Sequence, residues 1–561
     1  MPDNDSMQWY IKINGSELPA EVMNCLTRVT VESSMNIPAV ATLHLHSLPL
    51  GHSTALDWID SPKFDPGTAM EVSVKHGSQT TKIFDGEVVE LEPFFGPVGC
   101  DLVIRAFDML HRLSRGRKVT SYREMTDKDI MSQIVSKHGL SFNYGANSPG
   151  QVHPYVLQNS QTDLDFVRSR AVLVGCHIFA VGKTIHCAAP ASGSAALVLE
   201  GNSLASFRPR LTTIDQVANV TVRGWDQVNK TEIDGQYNAG SVSGAVMIDG
   251  KNGSKFAASA HNGGQDHFVT DWNVVNQDEA QKIAETIAKS ACGKFVQAEG
   301  VSVGAPAIVA GASIQIRGVG TRFSGTFFVT NALHTYDAKS GYDTEFTISG
   351  YDPTTLLQLL AKESNDAAKT GLQIGIVTEV DPKKAEVKLQ FPHLGAEAVT
   401  NWVRVAAPGA GSNRGFQFLP EVNDEVVVGF ERGDASCPFV IGGLWNGKDT
   451  APSQEALKSQ KVASRVIQSR SGHVITFDDD EAGGGITIKD KAGETITLNA
   501  KEKSITIEST KDIIVKATGD LTMSGVNLSL QGQKGVEIKG PQVKINGDAQ
   551  VEIKGGMIKL N

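Results

Sequence analysis

Residues 528–554 read Leu528-Ser-Leu-Gln-Gly-Gln-Lys-Gly-Val536-Glu-Ile-Lys-Gly-Pro-Gln-Val543-Lys-Ile-Asn-Gly-Asp-Ala-Gln-Val551-Glu-Ile-Lys554. One unit recurs through them: an apolar–polar–apolar triplet, then a spacer of four or five residues. Working outward, the triplets start at Ile475, Ile486, Ile496, Ile505, Ile513, Leu521, Leu528, Val536, Val543, Val551 and Ile558, at intervals of 11, 10, 9, 8, 8, 7, 8, 7, 8 and 7. Their middle residues are mostly polar, as at Thr487, Thr497, Thr506, Thr522, Ser529, Glu537, Lys544, Glu552 and Lys559. Alternation of this kind makes short strands with one buried face. Self-similarity over so many units marks a solenoid.

The period sets how many chains close the tube. Eight residues at about 3.3 Å each reach roughly 26 Å, which is one side of a triangular tube and not a full circuit. A single chain needs about three such sides per coil, and no longer period dominates. Three copies, each supplying one side per layer, close it. The needle core is then Ile486, Ile488, Ile496, Leu498, Ile505, Ile507, Leu521, Leu528, Val536, Ile538, Val543, Ile545, Val551 and Ile553, with Thr, Glu and Lys outside. At one strand spacing per repeat the shaft is on the order of 50 Å long. The competing arrangement is a one-chain antiparallel meander. It calls for Asn-Gly or Asp-Gly at each reversal, and only Asn546-Gly547 fits. The spacing therefore predicts an intertwined trimeric β-helix, a β-prism needle, over residues 472–561.

Upstream, six strands are expected at Ile374–Val380, Ala385–Phe391, Trp402–Val405, Phe416–Leu419, Glu425–Phe430 and Pro438–Leu444. Their number and spacing suit a small barrel of the OB type. The rest of the chain adds three capped helices. Thr126 opens one carrying Ile130 and Ile134 and stopped by Gly139, and Ser160 or Thr162 opens a second carrying Leu164, Phe166, Val167 and Ala171. Asn276 opens a third whose stripe is Ala280, Ile283, Ala284, Ile287 and Ala288, stopped by Gly293.

Of the 561 residues 20% are charged and the net charge is −10, which argues against a dedicated nucleic-acid or anionic-membrane binder. No stretch approaches the ~20 apolar residues that span a bilayer. The opening Met1-Pro-Asp-Asn-Asp-Ser6 lacks the pattern of a secretory signal, so cytoplasmic synthesis without a signal peptide is expected. The six cysteines are scattered, and free thiols are expected.

The run Gly415-Phe-Gln-Phe-Leu-Pro-Glu-Val-Asn-Asp-Glu-Val-Val-Val-Gly-Phe430, with Gly433-Asp434, Pro438, Gly442-Gly443 and Asn446-Gly447, resembles the OB-fold signature of VgrG-type spike proteins. These serve type VI secretion systems, extracellular contractile injection systems and contractile-tailed phages. Ser471-Gly-His-Val-Ile-Thr-Phe-Asp-Asp479 resembles the start of their β-helix. Hub-like pieces include Phe84-Asp85-Gly86-Glu87-Val88, Val222-Arg-Gly-Trp-Asp226 and Phe323-Ser-Gly325.

The resemblance implies a mainly β chain. Its domains would be a hub β-barrel at 1–120, a mixed α/β region at 121–200, a second hub β-barrel at 201–370, the OB-fold at 371–447, a connector at 448–471 and the needle at 472–561. It implies a non-enzymatic homotrimeric spike that joins a Hcp-like tail tube to the baseplate proteins, punctures a target envelope and contacts its membrane transiently. A PAAR-type tip protein would dock on Met557, Ile558, Lys559, Leu560 and Asn561, and effector cargo would be a separate protein, since no effector segment follows the last repeat. No cofactor and no nucleic-acid partner are implied, and the particle would act outside the producing cell. The competing function is a phage-type tailspike that degrades polysaccharide or binds a receptor.

Other motifs are read as structural. Gly300-Val-Ser-Val-Gly304 matches a nucleophile-elbow pattern, but the residues after it are strand-like and not helical. Cys176-His177…His186-Cys187 is nearly palindromic about Val181-Gly182, which pairs His177 with His186 and Cys176 with Cys187. That leaves two ligands per face where zinc takes three or four. His44 and His46 simply alternate with leucines and His52 is discounted with them as a metal ligand, Asp478–Glu481 reads as a solvated loop, and Arg112–Lys118 as a short basic cluster facing a neighbouring subunit or the tube lumen. The 24 residues at 447–470 leave no room for a lysozyme domain.

Overall fold

The computed structural model describes residues 7–48, 59–97, 99–146, 149–189, 195–227, 229–244, 246–270, 272–274, 276–350, 371–395, 397–452, 457–458, 461–480 and 483–559. The chain forms two bodies, Met1–Asn446 and Gly447–Asn561.

In the first body, alternating apolar residues build a curled sheet of eleven strands. Trp9, Ile11 and Ile13 point inward from Gln8–Ile13, Met70, Val72 and Val74 from Ala69–His76, and Tyr342, Thr344, Phe346 and Ile348 from Gly341–Ile348. The two segments expected as hub barrels both contribute strands to this one sheet. The seam lies where Asn331–Asp337 pairs antiparallel with Leu26–Ser34, Asn331 opposite Ser34 and Asp337 opposite Arg28.

The three expected helices form at Asp127–Lys137, Asp163–Leu173 and Gln277–Gly293. Thr126, Thr162 and Asn276 are the residues whose side chains accept the first free backbone N–H groups. Gly139 takes a left-handed φ of +69° just past the first helix, as a C-terminal stop requires. A further helix, Gly253–Ala260, capped by Asn252, stands outside the expected set.

The OB segment is a five-stranded antiparallel sheet. Val405 bridges Val440, and Ala406 N–H donates to the Val440 carbonyl at 2.8 Å, closing the barrel. Phe416–Leu419, expected as a strand, is not one. Ala410–Gly411 and Arg414–Gly415 form a tight two-strand ladder instead, leaving Phe416 and Phe418 stacked and half-exposed with ring centroids 4.9 Å apart. The OB barrel is tied to the preceding sheets from two sides. Ser121 Oγ donates to the Glu397 carbonyl at 2.8 Å and Asn401 Nδ2 to Glu124 at 2.9 Å. On the other side Asn273 Nδ2 donates to the Glu431 carbonyl at 2.7 Å, and Arg432, held at φ +53°, donates to the Trp272 carbonyl at 3.0 Å.

In the second body, the stretch expected as connector holds the short ladder of Leu457–Lys458 with Lys461–Val462 and then the strand Ser464–Gln468. Strands Ser464–Gln468, Val474–Asp478, Gly485–Lys489, Thr495–Asn499 and Ser504–Glu508 pair in sequence order, each antiparallel to the next. This corrects the reading of the first repeats, because here the one-chain meander is what forms. Its links hold between four and six residues, enough to reverse the chain. Side-chain turns replace the expected Asn-Gly pairs. Asp490 Oδ1 accepts from the N–H groups of Ala492 (2.8 Å), Gly493 (2.9 Å) and Glu494 (3.1 Å), and Asn499 Oδ1 from Glu502 N–H at 3.0 Å. Residues 509–559 form no strand pairing among the described residues. The seven- and eight-residue intervals begin where the reversals stop.

Candidate functional site

The meander presents two different faces. On one, Ile475 lies opposite Ile488, Phe477 opposite Ile486, Ile486 opposite Leu498, Ile488 opposite Ile496, Ile496 opposite Ile507 and Leu498 opposite Ile505. On the other, Thr476, Thr487, Thr497 and Thr506 lie side by side across the strands, a cross-strand pairing that suits a wet surface. The apolar face is uncovered by this chain: Leu498 is 39% exposed and Ile505 71%.

Beyond Glu508 the exposure continues in a row. Leu521, Leu528, Val536, Ile538, Val543, Ile545, Val551 and Ile553 are each half-exposed or more, as are Met557 and Ile558. Glu537 pairs with Lys539 and Glu552 with Lys554, each pair straddling an apolar residue and standing on the opposite face of the extended chain. Of the residues expected in the needle core, Ile488, Ile496, Leu498, Ile505 and Ile507 are exposed on a folded ribbon on which Ile486 is partly covered, and Leu521 to Ile553 are exposed on backbone without strand pairing. Leu560 and Asn561 lie outside the described residues.

A contiguous apolar stripe of this length is rare on a free surface and marks an interaction site. The unpaired N–H and C=O groups beside it point the same way, since strand edges left open invite pairing with another chain.

The other motifs fall elsewhere. Ser302 is buried within the strand Val296–Val303, its Oγ donating to the Ser203 carbonyl at 2.9 Å, with no helix after it to form an elbow. The palindromic segment is a hairpin, but its turn is Gly182-Lys183, one residue later than the palindrome suggests. Ile178 therefore faces Cys187, and His186 stacks on Phe179 with ring centroids 5.1 Å apart, instead of facing His177. His177 Nδ1 sits 3.0 Å from Asn36 Nδ2. Among the described residues no group of three or more His, Cys, Asp or Glu is gathered to hold an ion. His46 contacts Asp101 at 2.6 Å, while His52 and Glu481 lie outside the described residues. The Arg112–Lys118 cluster is largely engaged by its own chain: Arg112 pairs with Glu87, Arg117 donates to the Ser160 carbonyl and Lys118 pairs with Asp163.

Sequence reasoning missed two buried carboxylates that organise the α/β region. Asp163 accepts from Gln158 at 2.9 Å and from His138 at 2.7 Å besides Lys118. Asp127, buried at the start of its helix, accepts from Arg170 Nε at 2.6 Å and contacts His153 Nε2 at 3.1 Å. Burial pushes the Asp127 carboxyl up, but the His153 hydrogen bond and the Arg170 charge outweigh it and hold it below the ordinary value of 3.8. Its stabilisation is therefore complete above pH 3.8 and is lost as pH falls through the lower folded value. Asp127→Asn is expected to cost roughly 2 kcal/mol at neutral pH, the scale of a hydrogen bond to a charged partner. In urea melts that difference should shrink as pH falls below the ordinary value of 3.8 and through the lower folded value.

Three family models tile the chain. The Alg8 N-terminal domain matches residues 3–337, the type VI secretion system/phage-baseplate injector OB domain 373–445, and the phage baseplate V C-terminal trimerisation domain 464–551. Among curated proteins, the type VI secretion system spike protein VgrG1b of Pseudomonas aeruginosa is 28% identical over 111 residues, covering 20% of this chain and 14% of that protein. VgrG3 of Vibrio cholerae is 32% identical over 124 residues, covering 19% and 12%. The matched stretch is thus a small part of either relative. Among solved structures, the Escherichia coli c3393 component of the type VI secretion system, described as similar to phage T4 tail proteins gp27 and gp5, superposes with a TM-score of 0.51 at 14% identity, covering 77% of this chain and 99% of that one. The half-lidded Francisella PdpA–VgrG complex gives 0.53 at 11% identity, covering 90% and 87%. These two likenesses speak to the fold. With its first model covering more than half of the sequence and baseplate models following it, the chain belongs to the Alg8 N-terminal domain family and is VgrG-like in its domain make-up.

Proposed function

We propose that the protein works as a homotrimer whose C-terminal body is the puncturing needle. The observation that carries this is the uncovered apolar row from Ile475 to Ile558, whose backbone loses its own strand pairing after Glu508. The two halves of that row imply two geometries. Over 464–508 each chain's ribbon is one wall, its apolar face turned to an axis shared with two other copies and its threonines turned to water. From 509 onward the interval of seven or eight residues is less than a five-residue strand plus a four-residue link, the shortest unit of the ribbon, which leaves each strand to pair with other chains as an intertwined β-helix. Burying such side chains contributes about 1.5–3 kcal/mol each, multiplied three-fold around the axis.

In this reading the protein is a mechanical part and not an enzyme. It joins a Hcp-like tube and baseplate proteins to the needle and presents Met557, Ile558, Lys559, Leu560 and Asn561 to a PAAR-type tip protein. Effector cargo travels as a separate partner, and the assembled particle acts outside the producing cell and touches the target membrane only in passing. Light scattering of the isolated full chain tests the central claim. The expected mass is three times 59.9 kDa. A single-chain mass at micromolar concentration would overturn it.

A further inference from the structure

The outward side of the shaft carries a charge pattern that one chain does not use. The middle residues of the last four triplets are Glu537, Lys544, Glu552 and Lys559, so the sign alternates from repeat to repeat. Thr522 and Ser529, the two middles before them, are uncharged. All four charged side chains are exposed. One place past each triplet the sequence reads Lys539, Asn546, Lys554 and Asn561. Within one chain Glu537 leans on Lys539 at 2.5 Å, and Glu552 pairs with Lys554. Lys544 and Lys559 have no carboxylate partner among the described residues, and asparagine stands two residues on, where an acid would have matched them.

Given the homotrimer proposed above, each layer of the shaft holds the same triplet from three chains, and every strand has strands of other chains above and below it. The neighbour one layer up is therefore the next triplet of another chain. Neighbouring strands stand about 4.8 Å apart. Glu537 of one chain then lies beside Lys544 of the second, that lysine beside Glu552 of the third, and that glutamate beside Lys559 of the first. In the second outward column Asn546 separates Lys539 from Lys554, so no two lysines abut. Opposite charges directly across from one another stabilise a strand pair, and like charges destabilise it.

We propose that Glu537, Lys544, Glu552 and Lys559 form an interchain charge ladder whose partner is a second copy of this chain, and that the ladder fixes the layer at which the three chains align. The ladder presupposes the homotrimer and adds its register. The apolar face cannot supply that register, because Val536, Val543 and Val551 are interchangeable and a chain shifted by one layer still meets valine with valine. A one-layer shift sets Glu552 of the displaced chain beside Glu537 of its neighbour, and Lys559 beside Lys544. Exposed ion pairs add little attraction, so the selection comes from the repulsion that the wrong alignment creates.

The test uses the full chain and a four-site exchange, Glu537→Lys/Lys544→Glu/Glu552→Lys/Lys559→Glu, which keeps composition and net charge and reverses every rung. Alone, the exchanged chain should form trimers as the parent does, because the alternation survives. Co-expressed with the parent and recovered through an affinity tag, it should sort with itself. Mixed trimers are expected to be depleted on the order of ten-fold against random assortment, since like charges meet wherever the two kinds of chain adjoin. Lys544→Glu gives a second reading that does not depend on the exchange. It places three acids in succession and should make the trimer dissociate at higher protein concentration in low salt. Molar salt, which screens charges beyond about 3 Å, should remove that difference. Random mixing of parent and exchanged chains would overturn the ladder, as would a Lys544→Glu trimer as stable as the parent in low salt. Neither result touches the homotrimer itself, which fails only if the unsubstituted chain scatters light as a single chain.

Discussion

Substituting aspartate for Val536 and Val543 together is expected to convert the trimer to single chains of 59.9 kDa. In one chain these side chains are 55% and 50% exposed, so the substitutions cost the isolated chain little burial. Their cost appears only on assembly. Three copies bring six carboxylates to the axis, and each ion withdrawn from water without a partner costs several kcal/mol after relaxation. The lost burial of the valines adds to this. The matching control is Glu537→Gln with Lys544→Gln, one position away in the same triplets but on the polar face, which should leave the assembled mass unchanged. Light scattering across a dilution series reads both. A trimer that survives Val536→Asp/Val543→Asp at micromolar concentration would mean that these positions do not line the axis. Loss of assembly in the control would mean that the inward and outward faces are assigned backwards.

The length of the repeat, more than its composition, governs how much of the needle is legible in the sequence. Seven- and eight-residue intervals carry a sharp geometric meaning, and residues 513–558 show the unpartnered apolar row that this meaning requires. The longer intervals upstream pass for the same architecture as long as reversals are equated with two-residue turns. Asp490 and Asn499 reverse the chain by accepting backbone N–H groups over longer loops, and that signal, an Asx residue opening a spacer of four or more, is present in the sequence. Helix caps are legible for a related reason: Thr126, Thr162 and Asn276 act on neighbours three residues away. Long-range pairing is not. Nothing local to Asn331–Asp337 announces that it will join Leu26–Ser34 and bring strands of the two expected barrels into one sheet. The Cys176–Cys187 hairpin lies between these cases, its faces legible and its register not, because a palindrome cannot say whether Val181-Gly182 or Gly182-Lys183 makes the turn. Asp127 and Asp163 give no sequence signal beyond ordinary first-turn acids, since their partners come from other elements.

Gly235→Ala is expected to destabilise the first body by roughly 3–5 kcal/mol from overpacking and lost hydrogen bonds together. The strand Thr231–Asn238 pairs on one side with Asn219–Asp226, and its other edge meets the helix Gln277–Gly293. Two glutamines one helical turn apart serve that edge as a neighbouring strand would. Gln277 accepts from Asp234 N–H at 3.2 Å and donates to the Asp234 carbonyl at 2.7 Å; Gln281 does the same for Gln236, at 3.2 and 2.6 Å. The match is geometric: four residues of helix rise about 6 Å, and two residues of strand about 6.6 Å. Glutamine is long enough to span the gap only if the two backbones come close, and Gly235, lying between the two bonded residues, permits that. A Cβ there would stand 2.2 Å from the Ala280 carbonyl carbon and 2.4 Å from the Gln281 nitrogen, both backbone atoms with no rotamer to yield. The helix must then retreat, and the four amide bonds stretch together. Gln277→Ala with Gln281→Ala separates the two causes, because it removes the bonds without the clash and should cost about half as much. Urea unfolding of the three variants gives the comparison. A Gly235→Ala chain within about 1 kcal/mol of the parent, a change at the scale of one hydrogen bond, would show that the helix moves off the strand without consequence and that the glutamine bridge does not hold this edge.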